Sequence, residues 1–70
     1  MVDSLTRREL EILGLLARGV AAAAIARELE ISLLTVRTHV KSLLAKLDAH
    51  TQLEAVARAQ ALDILTPAED

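Results

Sequence analysis

Apolar residues recur at helical spacing along most of this chain, and the pattern is clearest between Ile31 and Leu47. One apolar stripe there, repeating at intervals of four, three and four residues, is formed by Val36, Val40, Leu43 and Leu47. Such a stripe predicts an amphipathic helix that packs one side on a core. Another side of the same helix carries two long cations, a hydroxyl and a small residue, namely Arg37, Thr38, Lys41 and Ala45. The pattern therefore predicts a helix with one side buried and another free to meet a partner.

A capping box near the start of the chain predicts the first helix. Thr6 can cap the backbone N–H of Glu9, and Glu9 can reach back to Thr6. Leu5 and Leu10 stand in the staple positions that flank this box. Gly19 is expected to end the helix because it can adopt the left-handed cap conformation. The apolar face, with Ile12 beside it, is expected to carry Leu10, Leu13, Leu16 and Ala17.

A short second helix is predicted between Val20 and Glu30. Ile25 and Leu29 give it an apolar pair at i, i+4 spacing, and the four alanines at positions 21–24 are expected to lie against the first helix. Ser32 is a good N-cap for the third helix. A helix, a short turn and a second helix in this order are typical of a helix-turn-helix motif.

A second capping box, Thr51-Gln52-Leu53-Glu54, predicts a fourth helix that runs to about Leu62 or Leu65. The Thr66-Pro67 pair is expected to end it, since the residue before proline avoids helical dihedrals. The better candidates for its core side are Ala55, Ala59 and Leu62. A second face is expected to form a dimer contact, because small residues permit close helix approach. It consists of Leu53, Val56, Ala57, Gln60 and Ile64.

Length and composition indicate one all-α domain. We place it at residues 5–65 of the 70, with residues 1–4 and 66–70 as flexible termini. Ala and Leu, both strong helix formers, dominate, and one Pro and two Gly interrupt them. The absence of aromatic residues removes the stacking platforms that bind single-stranded nucleic acids. No apolar run approaches the ~20 residues that cross a bilayer, and the lack of cysteine fits a reducing cytoplasm.

The distribution of charge changes the picture more than its sum. The net charge of −2 argues mildly against nucleic acid. Between Ser32 and Leu47, however, every charged residue is basic: Arg37, Lys41 and Lys46. A major groove is about wide enough to admit one helix. The third helix therefore favours duplex DNA as its partner, with a non-specific affinity that salt weakens easily.

Several short motifs stand in a characteristic order along the chain: Leu5-Thr6-Arg7-Arg8-Glu9, Gly19, Ile25-Ala26, Ser32-x-x-Thr35-Val36-Arg37-x-His39, Lys46-Leu47 and Glu54-Ala55-Val56. Together they resemble the LuxR-type (GerE/FixJ-like) helix-turn-helix domain of bacterial transcription regulators, over roughly Leu5 to Leu65. The resemblance implies a four-helix domain whose third helix enters the major groove and whose fourth helix joins two copies. Departures include the alanines at 21–24, where polar or basic residues are common, and Asp48, where glycine is common.

The resemblance implies that Arg37, Thr38 and Lys41, in the middle of the third helix, face bases and phosphates. It implies that Ser32 and Thr35, at the start of the helix, lie near the DNA backbone. Leu33 and Leu34 could belong to the core or touch a thymine methyl group. The expected DNA-binding residues are Ser32, Leu34, Thr35, Arg37, Thr38, Lys41 and Lys46. Which of Arg37 and Lys41 reads a base stays open.

Other functions stay open as well. The acidic balance also fits a helical protein-interaction or dimerisation module without DNA binding, and the promoter-reading region of sigma factors is a related helix-turn-helix. The sequence has no nucleophile–base pair, phosphate loop or metal cluster, so we expect no enzyme, cofactor or metal. His39 and His50 stand too far apart to bind a metal from one helix face. The expected partners are duplex DNA, a second copy and, as a further candidate, RNA polymerase, on the nucleoid in the cytoplasm; no membrane or small-molecule ligand is expected.

Overall fold

The computed structural model describes residues 5–62, which form four helices joined by short turns. They are α1 (Arg7–Ala17), α2 (Ala22–Leu29), α3 (Leu33–Lys46) and α4 (Gln52–Ala61). The described range contains no strand, so the predicted all-α, four-helix architecture is confirmed. None of the helices in this range has the length and apolarity of a membrane-spanning segment. The predicted end at Thr66-Pro67 and the termini lie outside the described residues.

Side-chain caps fix where α1 and α3 begin. The backbone N–H of Glu9 donates to Thr6 Oγ1 (3.1 Å), and the N–H of Thr6 donates to Glu9 Oε1 (2.9 Å), which confirms the predicted capping box. At α3, the N–H of Thr35 donates to Ser32 Oγ (2.9 Å), as expected for an N-cap serine. By contrast, the N-cap residue of α2 is Ala21, which offers no side-chain cap.

The capping box predicted for α4 forms only in part. The N–H of Glu54 donates to Thr51 Oγ1 (3.0 Å), as expected. The Glu54 carboxylate, however, accepts from the N–H of His50 (2.8 Å) instead of reaching back to Thr51. It also accepts from Arg58 one turn further along the helix (3.3 Å). The predicted reciprocal box was therefore wrong in its second bond. The Glu54 carboxylate accepts from His50, which precedes the N-cap Thr51 by one residue.

Three helices end in a residue with left-handed backbone geometry. Gly19 follows α1 with φ of 84°, as predicted, and the next N–H, of Val20, closes the turn on Leu15 O (3.0 Å). Glu30 and Asp48 take the same role after α2 and α3, with φ of 59° and 57°. The backbones of these two residues adopt a left-handed conformation that costs glycine less free energy than any residue with a side chain.

The core lies where α3 crosses α1, α2 and α4. Ten apolar residues from all four helices and the turn after α3 are buried: Ile12, Leu13, Ile25, Ala26, Val36, Val40, Leu43, Leu47, Ala55 and Ala59. The predicted stripe on α3 and the predicted core alanines of α4 are among them. Burial of this cluster fixes the side that α3 turns inward, and so also the side that it turns outward.

Two predicted core positions are wrong. Leu10 is 38% exposed, because the buried face of α1 centres on Glu9, Ile12 and Leu13 instead. Glu9 is only 4% exposed and faces α3. The buried side of α1 is therefore rotated about the helix axis from the predicted one, toward Glu9. Leu62, predicted on the core side of α4, is 54% exposed, because α4 ends at Ala61.

Candidate nucleic-acid interface

The helix α3 turns opposite sides to the core and to solvent. Its inner side is the buried stripe described above. Because a helix repeats every 3.6 residues, positions 34, 38, 41 and 45 fall in one row, with position 37 beside them. All five side chains are exposed. We refer to them as the exposed row, which consists of Leu34, Arg37, Thr38, Lys41 and Ala45.

The exposed row is locally basic in a chain that is acidic overall. Arg37 and Lys41 stand one turn apart, and α3 contains no acidic residue. The nearest acids along the chain are Glu30 and Asp48, which lie in the turns beyond the two ends of the helix. An anion approaching the row therefore meets two cations without a neighbouring carboxylate on the helix.

Two hydroxyl groups are paired at the start of α3. Ser32 Oγ and Thr35 Oγ1 lie 2.8 Å apart, and either atom could be the donor. Ser32 Oγ already accepts the N–H of Thr35. Whichever hydroxyl donates within the pair, the other keeps its hydrogen. One O–H donor is therefore left at the helix start for an outside acceptor.

Thr38 uses its hydroxyl hydrogen inside the helix. Thr38 Oγ1 donates to the backbone carbonyl of Leu34, at 3.0 Å. Thr38 therefore offers a partner the lone pairs of its oxygen and its methyl group, and no hydrogen-bond donor. Leu34 itself is 74% exposed and Leu33 is 37% exposed, so neither leucine of the first turn belongs to the buried core.

A buried carboxylate links α1 to α3. Glu9 Oε1 accepts from Lys46 Nζ (2.8 Å), and Glu9 Oε2 accepts from Ser42 Oγ (2.8 Å), in addition to the cap bond from Thr6. Burial alone would raise the pKa of Glu9. The Lys46 ammonium and the hydrogen bonds from Thr6 and Ser42 outweigh it and lower the pKa from 4.5 to about 2.

This arrangement separates Lys46 from the other two cations of α3. Its ammonium is engaged by Glu9, and its side chain is only 28% exposed. Lys46 was predicted to bind DNA because the sequence shows it as a third basic residue on the helix. The structure instead places it in an ion pair beside the core, so we leave it out of the proposed contact set. Sequence reasoning also missed Ser42, which no local motif marks.

The face of α4 predicted to bind a second copy is mostly exposed. Leu53 is 80% exposed, and Ala57 and Gln60 are exposed as well. Val56 differs, because it is half-buried and packs against the core. Ile64 lies outside the described residues. Next to this face, an open groove of about 350 Å³ is lined by Leu16, Ala17, Gly19, Gln52, Leu53 and Val56.

The two histidines stand apart from the exposed row. His39 is half-buried on α3, and His50 is exposed in the turn before α4, where Nδ1 lies 3.6 Å from Glu54 Oε1. Within residues 5–62, no group of three or more His, Cys, Asp or Glu side chains is arranged to hold a metal ion.

A helix pair joined by a tight turn, with a basic row on the second helix, defines the class of helix-turn-helix DNA-binding domains. The family model GerE, described as bacterial regulatory proteins of the luxR family, matches residues 3–59. The chain therefore belongs to the LuxR family and is the DNA-binding domain of a transcriptional regulator. This family is one of DNA-binding transcription regulators rather than enzymes. The match to its model favours a regulator's DNA-binding domain over the sigma-factor and protein-interaction alternatives.

Individual relatives agree with this assignment. The chain is 46% identical over 57 residues to transcriptional regulatory protein LiaR of Bacillus subtilis (strain 168), covering 81% of this chain and 27% of LiaR. It is 41% identical over 58 residues to the HTH-type transcriptional regulator MalT of Yersinia pestis (strain Pestoides F), covering 83% of this chain and 6% of MalT. The crystal structure of ChrA, a response regulator in a heme-sensing two-component system, superposes with a TM-score of 0.86 at 32% identity, over 89% of this chain and 31% of that chain. The chain thus spans less than a third of each of these relatives.

Proposed function

We propose that the chain binds duplex DNA sequence-specifically by placing α3 in the major groove, as the effector domain of a bacterial regulator. The observation that carries this proposal is the exposed row, which lies opposite the buried stripe and holds Arg37 and Lys41 on a helix without acids. In a major groove the row would meet base edges. Burial of the opposite stripe would keep α3 fixed to the core while it does so.

Arg37 and Lys41 are the proposed cationic contacts. Either side chain can donate to guanine O6 and N7 in the major groove, and either can bind a phosphate. The two roles have different signatures. Removing a base contact relaxes specificity at one position, whereas removing a phosphate contact weakens binding to all sequences and reduces the salt dependence.

Ser32 and Thr35 are proposed to anchor the start of α3 on the DNA backbone. Their hydroxyl pair leaves one O–H donor, and the first backbone N–H groups of a helix also suit an anionic oxygen. A phosphate bound there would set the depth at which α3 enters the groove. Such contacts position a protein without reading sequence.

We further propose a symmetric dimer through the face of α4 that holds Leu53, Ala57 and Gln60. A two-fold contact uses the same patch on both copies, and these residues repeat at intervals of four and three along one side of the helix. Two α3 helices would then reach major grooves about one helical turn apart on a near-palindromic site. RNA polymerase, a further proposed partner, would need a surface outside both contacts. Such binding would occur on the nucleoid, in the cytoplasm.

Fluorescence anisotropy with a labelled mixed-sequence duplex at low and moderate salt tests this proposal. The wild type should bind, salt should weaken binding, and Arg37→Ala/Lys41→Ala should abolish it. A matched control, Arg7→Ala/Arg18→Ala, removes the same charge from two exposed positions at the ends of α1 and should bind within a few-fold of the wild type. Equal losses in both double variants would mean that net charge, and not the exposed row, causes binding. No binding by the wild type at low salt would contradict the proposal altogether.

A further inference from the structure

The exposed row contains an apolar side chain that is not buried in the core of the folded protein. Leu34 is 74% exposed in the first turn of α3, outside the core cluster. It shares its side of the helix with Arg37 and Lys41. Among residues 5–62, the other strongly exposed leucines are Leu53 and Leu62, which belong to α4 and its end. Leu34 is therefore placed to meet whatever the two cations meet.

Thr38 extends the apolar character of this position. It stands one turn after Leu34, and its hydroxyl hydrogen is donated to the Leu34 carbonyl. A partner facing these two residues finds a leucine side chain, a methyl group and no side-chain hydrogen-bond donor from either. The donors of the row come from Arg37 and Lys41 alone. Leu34 and Thr38 therefore cannot read a polar base edge by donating a hydrogen bond from their side chains.

We propose that Leu34, with the Thr38 methyl group beside it, recognises the C5-methyl group of thymine. In the major groove, thymine presents this methyl group next to its O4 acceptor, and it is the apolar feature that separates thymine from cytosine, adenine and guanine. The proposed binding partner is duplex DNA, because the same side of the helix carries two cations and no acid. Such a surface suits a polyanion. This inference rests on the proposed function and adds a base preference to it: a thymine in each half-site, opposite the first turn of α3.

Replacement of thymine by deoxyuridine tests the inference, because it removes only the C5-methyl group. The preferred duplex is first selected in vitro with the wild type, and each thymine is then replaced singly by deoxyuridine. One position per half-site should show a dissociation constant about fourfold higher, the value expected for one buried methyl group. The remaining thymines should show no change. An unchanged affinity at every position would overturn the inference.

Variants assign the effect to its residue. In Leu34→Ala the deoxyuridine penalty at that position should fall below about twofold, since the alanine does not reach the methyl group and only the Thr38 methyl group remains to contact it. Thr38→Ser, which retains the hydroxyl bond, should lose only part of the penalty. Leu62→Ala, at an exposed leucine outside α3, should retain the full penalty. A full penalty in Leu34→Ala would show that another residue reads the methyl group.

The failure of this inference is distinguishable from that of the proposed function. If Arg37→Ala/Lys41→Ala abolishes binding but deoxyuridine is tolerated everywhere, the chain binds DNA through α3 and does not read thymine through Leu34. If the wild type binds no duplex, or selection enriches no sequence, both the specific contact and the thymine preference are contradicted. Because Leu34 is exposed, its variants should retain the helical circular dichroism of the wild type.

Discussion

Lys46 Nζ lies 2.8 Å from Glu9 Oε1, and this contact joins the last turn of α3 to the first turn of α1. Glu9 also accepts from Ser42, one turn earlier on α3, and from the N–H of Thr6. A single buried carboxylate therefore caps one helix and holds two positions of another. The direction in which the exposed row faces depends on this network as well as on the apolar core.

Acid should remove the contribution of Glu9 to stability. Its pKa is about 2 in the folded protein and near 4.5 in the unfolded chain, so its contribution is complete above pH 4.5 and is lost as the pH falls toward 2. From this shift we expect the free energy of unfolding to fall by about 2 kcal/mol between pH 7 and pH 3 through Glu9 alone. Urea denaturation at a series of pH values measures it.

Glu9→Gln is the control, because glutamine does not titrate. The variant should be less stable at pH 7 and should show a smaller loss on acidification. Glu54, whose pKa is lowered by the hydrogen bond from the His50 N–H, titrates in both proteins and cancels in the comparison. Parallel stability curves for the wild type and Glu9→Gln would contradict the account of this network.

Lys46 and Lys41 should behave differently when each is replaced by methionine. Lys46→Met leaves the Glu9 carboxylate buried without its ammonium, so we expect a loss of about 2 kcal/mol of stability. The slope of log K for DNA against log salt should stay unchanged. Lys41→Met should leave stability within about 0.5 kcal/mol. If Lys41 binds a phosphate, the Lys41→Met substitution should also reduce the magnitude of this slope by about 1. A reduced slope for Lys46→Met would restore Lys46 to the DNA contacts.

Glu30→Gly should stabilise the protein. Glu30 holds a φ of 59° after α2, where a side chain is strained and glycine is not. The gain, after the greater flexibility of glycine in the unfolded chain, should be about 0.5–1 kcal/mol, seen as a higher thermal midpoint. Glu28→Gly places glycine inside the same helix and should instead cost about 1 kcal/mol. Equal destabilisation by both substitutions would show that Glu30 makes a contact worth more than its strain.

Ala57→Glu should separate the proposed dimer without unfolding the monomer. Ala57 is exposed on α4, and glutamate is a good helix former. Two carboxylates brought together across a two-fold contact repel each other. Sedimentation should show a monomer, and cooperative binding to a duplex with two half-sites should disappear while single half-site binding persists. Ala23→Glu, at an exposed alanine of α2, should leave the oligomeric state unchanged. Unaltered cooperativity in Ala57→Glu would contradict the α4 contact.

The features that sequence analysis predicted correctly are local ones. The Thr6–Glu9 box and the Ser32 cap join residues three apart, and the buried stripe of α3 follows from helical spacing alone. Each of these can be read from a window shorter than one helix. The left-handed turn at Gly19 follows in the same way from the freedom of glycine.

The features that were missed depend on contacts between distant residues. Lys46 follows Glu9 by 37 residues, and no local pattern shows that its charge is engaged. The sequence marks Glu9 as a cap, which hides its second role and led to the wrong buried face for α1. Leu62 was assigned by periodicity to a helix that ends one residue earlier. Tertiary packing determines the burial and contacts of these residues, and helical periodicity alone does not predict them.

A map of the DNA-contacting residues tests most directly whether the exposed row binds DNA. Uniformly ¹⁵N-labelled protein is titrated with the selected duplex while backbone amide shifts are followed. We expect the largest changes between Ser32 and Lys41, including the amides of Leu34 and Arg37, and small changes in the middle of α1. Changes concentrated around the groove at Leu16 and Leu53, with α3 unaffected, would contradict the claim that the exposed row reads DNA.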